Sequence, residues 1–260
     1  MSILVVEVLS EGIIFGADRN ITYTDVNGST TQGTSRSKVF KWPAERFLFG
    51  FVGAATVGGL PMDEWLDSIK DEFASKTSLE EIAQKIHQKI QLQRAEDEGI
   101  NPAKGLIIHL GGFERRNDIW LPFVWHISNA YKLGKFGYLP DFRKTFVCSE
   151  AFWNWAKPYE IDPSEVRRIL RVMEKQFNPC WFHQGIDLCT FNALESAIKS
   201  TFKLLCQQHP EHEIPTTIEE WAKHIRMQIL MYGAYFEAFR PEGQRYVGDG
   251  GDIVFTPWPE

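Results

Sequence analysis

A serine at position 2, an aspartate at 18, a lysine at 38 and a glycine at 53 are residue types that together can break an amide bond. If Met1 is removed, Ser2 becomes a terminal amino alcohol. Its hydroxyl is then a nucleophile that carries its own base, the α-amine. That amine has a reference pKa of about 8, so it needs far less tuning than a lysine to work near neutrality. A fixed cation beside the hydroxyl favours its ionising form, and a backbone N–H takes up the charge of the tetrahedral oxyanion. Lys38 supplies a cation and Asp18 a carboxylate to orient it. Gly53 is a place where backbone can approach a substrate closely.

These residues work together only if the chain brings them together, and the local pattern says how. Residues 3–9 and 12–18 are two apolar, β-branched runs separated by Ser10-Glu11-Gly12, which reads as a hairpin. Antiparallel pairing returns Asp18, at the end of the second run, to the start of the first. A polar stretch rich in Gly, Ser, Thr and Asn, Thr24–Ser37, follows as a loop. "KVFKW" and "RFLFGFVG", split by Pro43, form a second hairpin that starts at Lys38 and ends at Gly53.

From there the apolar period changes from two to 3.6. Pro61 suits a first helical position, and Trp65, Leu66, Ile69 and Phe73 mark one face. Ser78 and Glu81 form a capping box ahead of a second helical stripe that ends near Gly99. "GLIIHL" and "IWLPFVWHI" read as paired strands, and "TFVCS" as a third that leads into a short helix, "EAFWNWA". Asp162-Pro163-Ser164-Glu165 caps one further helix, residues 187–207 are helical in pattern, and Thr217 with Glu220 caps a last helix. "RYVGDGGDIVFTPW" closes the chain as strand, turn and strand. Strands bracketing helix pairs predict an α+β protein with two sheets between helical layers. No linker or repeat divides residues 1–260, so one domain is expected.

The balance of charge excludes other classes of function. The net charge is −6, and no basic run carries interleaved aromatics, which argues against nucleic acid or an anionic membrane surface as partner. No apolar stretch has the length of a membrane span, and the first run lacks the flanks of a secretory signal, so cytoplasm is the expected location. The four cysteines fit reduced thiols better than a disulfide framework. Cys180 with His183 and Cys206 with His209 have metal-like spacing, but a polar loop and an apolar helical stripe account for them more simply.

Taken in order, the N-terminal hydroxyl residue, "GIIFGAD", "SKVFKW" and "FLFGFVGAA" resemble the β-subunits of the proteasome and their bacterial ring-peptidase relatives. The resemblance identifies the chain as a divergent member of that N-terminal nucleophile class. It covers residues 2–157 well and the last strands weakly. It implies a four-layer αββα sandwich, with the helices at about 160–210 as an insertion. Ser2, Asp18, Lys38 and Gly53 fall on the family's nucleophile, aspartate, lysine and oxyanion glycine. Sixteen positions separate Ser2 from Asp18. "FVCSE" resembles the strand ending in a serine beside the nucleophile amine, which would be Ser149; that serine reads equally as a helix N-cap. Asp249 falls near the family's second supporting aspartate.

The sequence departs from the family in its nucleophile, serine where the family has threonine. The resemblance implies a peptidase or amidohydrolase acting on peptides or proteins, and self-assembly into a homo-oligomer such as a ring. It requires no metal or organic cofactor. The sequence identifies no unfoldase partner. An inactive ring subunit, or a small-molecule amidase or transpeptidase on the same scaffold, is the alternative.

Overall fold

The computed structural model describes residues 3–24, 30–32, 35–42, 47–73, 78–96, 106–116, 118–128, 131–132, 135–136, 143–146, 163–176, 180–184, 188–209, 213–239 and 250–260. The first two apolar runs form β1 (Leu4–Leu9) and β2 (Gly12–Asp18), paired antiparallel with Leu4 opposite Ala17. Seven more strands make up the two large sheets: β3 (Val39–Lys41), β4 (Leu48–Gly53), β5 (Leu106–Arg116), β6 (Ile119–Ser128), β7 (Arg143–Phe146), β8 (Cys180–Gln184) and β9 (Gly251–Pro257). The first sheet runs β8-β1-β2-β9 and the second β7-β6-β5-β4-β3. Every paired neighbour within them is antiparallel. The chain is an α+β protein.

Period-two alternation explains why β1 and β2 are buried on both faces. Leu4, Val6, Val8, Ile13, Phe15 and Ala17 belong to the core shared with the second sheet. Ile3, Val5, Leu9 and Ile14 point the other way, into a cluster with Trp221, Ile225, Ile229 and Tyr232. Those last four lie on helix α5 (Ile218–Phe239), which packs on β2 and β9. Glycines permit the close approach of the layers. A Cβ on Gly16 would stand 2.7 Å from Ile225 of α5, and one on Gly111 2.7 Å from Phe15.

Helix α1 (Met62–Ile69) follows β4, and α2 (Leu79–Glu96) lies on β5 and β6 with Leu79, Ile82, Ala83, Ile86 and Ile90 buried. The capping signals behave as their residue types require: Ser78 and Glu81 exchange backbone-to-side-chain bonds, as do Thr217 and Glu220. Pro61 stands one position earlier than expected, as the N-cap of α1. Helix α3 (Val166–Lys175) reaches back to the β1–β2 turn. There Glu174 accepts from the Ser10 backbone and hydroxyl, while Arg167 donates to the Ser10 carbonyl at 2.7 Å. The far end of the first hairpin is thereby clamped.

Within the region at about 160–210 expected as a helical insertion, between α3 and α4 (Leu188–Gln208), the strand β8 forms and pairs with β1 along its length. An edge strand of five residues draws its stability from the partner ladder, and "CWFHQ" carries no alternation to announce it. "EAFWNWA" and the run before Gly250 lie outside the described residues. No helix among the described residues is long and apolar enough to cross a membrane.

Candidate functional site

The site forms where the open end of the first hairpin meets the start of the second. Asp18 is the last residue of β2 and is fully buried. Its Oδ1 accepts from the Ile3 backbone nitrogen at 2.8 Å. Its Oδ2 accepts from Lys38 Nζ at 2.9 Å and from the Asn20 backbone nitrogen at 3.0 Å. Lys38 Nζ also donates to the Asn20 carbonyl. A buried ammonium and a buried carboxylate thus close a ring through one residue's backbone. This is the arrangement that makes an ion pair tolerable away from water, because the ammonium and the carboxylate each make further hydrogen bonds.

Lys38 is only 2% exposed, so its charge is poorly screened. Burial pulls its pKa below the ordinary lysine value, against the opposing pull of the Asp18 charge and hydrogen bond. A cation so placed is strongly felt by any group beside it, and gives up a proton more readily than a surface lysine.

Gly53 ends β4 and is exposed. The Phe51 backbone nitrogen donates to the Lys38 carbonyl at 3.0 Å, so Gly53, two residues on, sits at the Lys38 end of the second sheet. Its φ of +98° is in the region that glycine adopts without strain. The rim is charged. Arg19 pairs with Asp252 of β9, and Arg36, whose backbone nitrogen bonds the Arg19 carbonyl, pairs with Asp63 at 2.9 Å and Glu64 at 3.2 Å in the first turn of α1.

Of the six residues singled out from the sequence, the structure brings Asp18 and Lys38 into contact and sets Gly53 at the same end of its sheet. Ser2, Ser149 and Asp249 lie outside the described residues. Asn20 is the member that sequence reasoning missed. It acts through backbone atoms, which no side-chain pattern reveals. The strand end at Asp18 was its only signal.

No known family model and no curated protein matches the chain. Solved structures it resembles include Anbu (ancestral beta-subunit) from Yersinia bercovieri, at 13% identity and a TM-score of 0.45, with 98% of this chain and 81% of that one covered. Anbu from Hyphomicrobium sp. strain MC1 gives 13% and 0.41 over 98% and 82% of the two chains, and its Gly-1 mutant 13% and 0.45 over 99% and 82%. The expected membership among proteasome β-subunit-like N-terminal nucleophile hydrolases is corrected by these findings. These three structures are Anbu chains, and an identity of 13% with TM-scores of 0.41 to 0.45 is too weak a likeness to place this chain in that class.

Proposed function

We propose that the chain is an amide hydrolase whose nucleophile is Ser2, freed by removal of Met1. One observation carries this reading: the buried Asp18 carboxylate binds at once the Lys38 ammonium and the Ile3 nitrogen, the atom through which Ser2 is attached. A buried ion pair is costly, and a purely structural need would be met as well by apolar residues. Its position against the first peptide link gives the charge something to act on.

The Ser2 hydroxyl attacks an amide carbonyl while its proton passes to the Ser2 α-amine, directly or through water. Lys38 lowers the cost of the developing alkoxide. The Gly53 N–H is the donor to the tetrahedral oxyanion. Collapse breaks the C–N bond, and the leaving amine takes the proton back from the ammonium. The resulting ester is cleaved by water, which yields a proton to the same amine; the departing Ser2 oxygen takes that proton, releasing the acid and restoring Ser2. Ser149 and Asp249 are candidate supports for the amine. Substrates are peptides or proteins, no cofactor takes part, and the working form is a homo-oligomer. In the same reading the layers stack as a four-layer sandwich in one domain, with the region at about 160–210 as an insertion.

Intact mass and covalent labelling test the proposal together. Loss of one methionine residue and labelling by a β-lactone on Ser2, abolished in Ser2→Ala, are expected. A mature chain that keeps Met1, or equal labelling of wild type and Ser2→Ala, overturns it.

A further inference from the structure

Lys38 leads into β3 and Gly53 ends the neighbouring β4, and a second route through the structure joins them by way of Arg36. Arg36 stands two residues before Lys38. Its backbone nitrogen donates to the carbonyl of Arg19, the residue after Asp18, at 3.2 Å. Arg19 is itself anchored to the first sheet. Its backbone nitrogen donates to the Gly250 carbonyl at 3.3 Å and its Nε to Asp252 of β9 at 2.7 Å. The buried cation and its carboxylate are therefore carried on two segments bonded side by side.

The Arg36 guanidinium crosses to helix α1. Nη1 donates to both Asp63 oxygens, at 2.9 and 3.2 Å, and to Glu64 Oε1 at 3.2 Å. Met62, Trp65 and Leu66 seat this helix in the core, so it is a firm anchor. Its start is bonded back toward Gly53: the Met62 nitrogen donates to the Ala55 carbonyl at 2.9 Å, and Thr56–Val57 pairs antiparallel with Leu60–Pro61. On the other side of Gly53, the Phe51 nitrogen donates to the Lys38 carbonyl at 3.0 Å. The links form a closed circuit. It runs from Lys38 to Phe51, past Gly53 to Ala55, on to α1, and through Arg36 back to Lys38.

We propose that Arg36 is a positioning residue that braces the Gly53 N–H at its place relative to the Lys38 ammonium; its consequence for catalysis rests on Ser2 being the nucleophile. The side chains of Arg36, Asp63 and Glu64 are 34%, 41% and 54% exposed, so their ion pairs are open to solvent and contribute little to overall stability. Salt screens them. Rate is far more sensitive to placement, since a shift of about 1 Å costs on the order of a hundredfold. A weak link at this point of the circuit therefore affects chemistry more than folding.

Arg36→Gln, and the double variant Asp63→Asn with Glu64→Gln, remove the brace from its two ends. In both, amides of residues 53–57 should exchange with solvent about fivefold faster than in the wild type, while the urea midpoint stays near the wild-type value. Raising salt from about 0.1 M to about 1 M shortens the Debye length from about 10 Å to about 3 Å. That change should bring wild-type exchange up to the rate of the variants and leave the variants as they are. β-Lactone labelling of Ser2 should slow about tenfold in both variants. Unchanged exchange in the variants overturns the brace, and faster exchange with labelling at the wild-type rate overturns its positioning role. A wild type that takes no label fails the assignment of Ser2 instead, and exchange with its salt response then decides the brace.

Discussion

One carboxylate joins the start of the first hairpin to the buried cation: Asp18 accepts from the Ile3 backbone nitrogen at 2.8 Å and from Lys38 Nζ at 2.9 Å. The contact joins strand β2 to the residue just ahead of β1 and to the residue just ahead of β3. It therefore ties the two sheets together at the open end of the first hairpin. Removing either charge leaves the other buried without this ion pair.

Lys38→Met and Asp18→Asn should each cost about 3–5 kcal/mol of folding stability, the usual penalty for orphaning a buried charge. The double replacement Asp18→Leu with Lys38→Met should recover much of that loss, since both charges are gone. Labelling of Ser2 should fail in all three. Urea denaturation and β-lactone labelling, measured on the same preparations, separate the structural role from the chemical one.

Gly53→Ala places a side chain at a φ of +98°, a conformation that L-residues adopt at a cost of about 1–3 kcal/mol. Relief of that strain would swing the peptide N–H away from the Lys38 end of the sheet. A fall in kcat with KM little changed is the expected result, the pattern of a donor used only in the transition state.

Gly111→Ala brings a Cβ to within 2.7 Å of the Phe15 ring between the sheets. Overpacking of this kind costs about 1–3 kcal/mol. Phe15→Leu in the same chain should return part of the loss, giving a coupling energy between the two sites of about 1 kcal/mol in a double-mutant cycle.

His224 on α5 is nearly buried, and its Nε2 accepts from the Gln228 amide at 2.9 Å. Burial first, and then the Lys199 charge, lower it to about 4. The unfolded chain therefore takes up a proton that the folded chain refuses. The stabilising contribution is complete above about pH 6.5 and fades as the pH falls toward 4, amounting to about 2 kcal/mol between pH 7 and pH 5. Denaturation of His224→Gln at both pH values should show a correspondingly shallower acid loss than wild type.

The elements that place Asp18 and Lys38 are legible in the sequence because their signals are local. Apolar, β-branched runs in residues 3–9 and 12–18, a short turn and capping boxes at Ser78 and Thr217 each act within a few residues. A hairpin necessarily returns its last residue to its first, so Asp18 beside the start of β1 follows from strand length alone. The cation partner for Asp18 is legible as a residue type at the start of the next strand pair.

Other features depend on contacts between distant parts of the chain. Strand β8 exists because β1 offers it a ladder across more than 170 residues, and its five residues alone give no period to read. Asn20 joins the Lys38 ring through its backbone, which any residue type could supply. His109 meets His126 because β5 and β6 pair in one register, and a slip of one residue would move every side chain of a strand to the opposite face. Periodicity and capping are encoded within a few residues and survive in the chain read alone. Register, edge pairing and the burial of charge arise only when separate elements pack, and for these the tertiary structure decides.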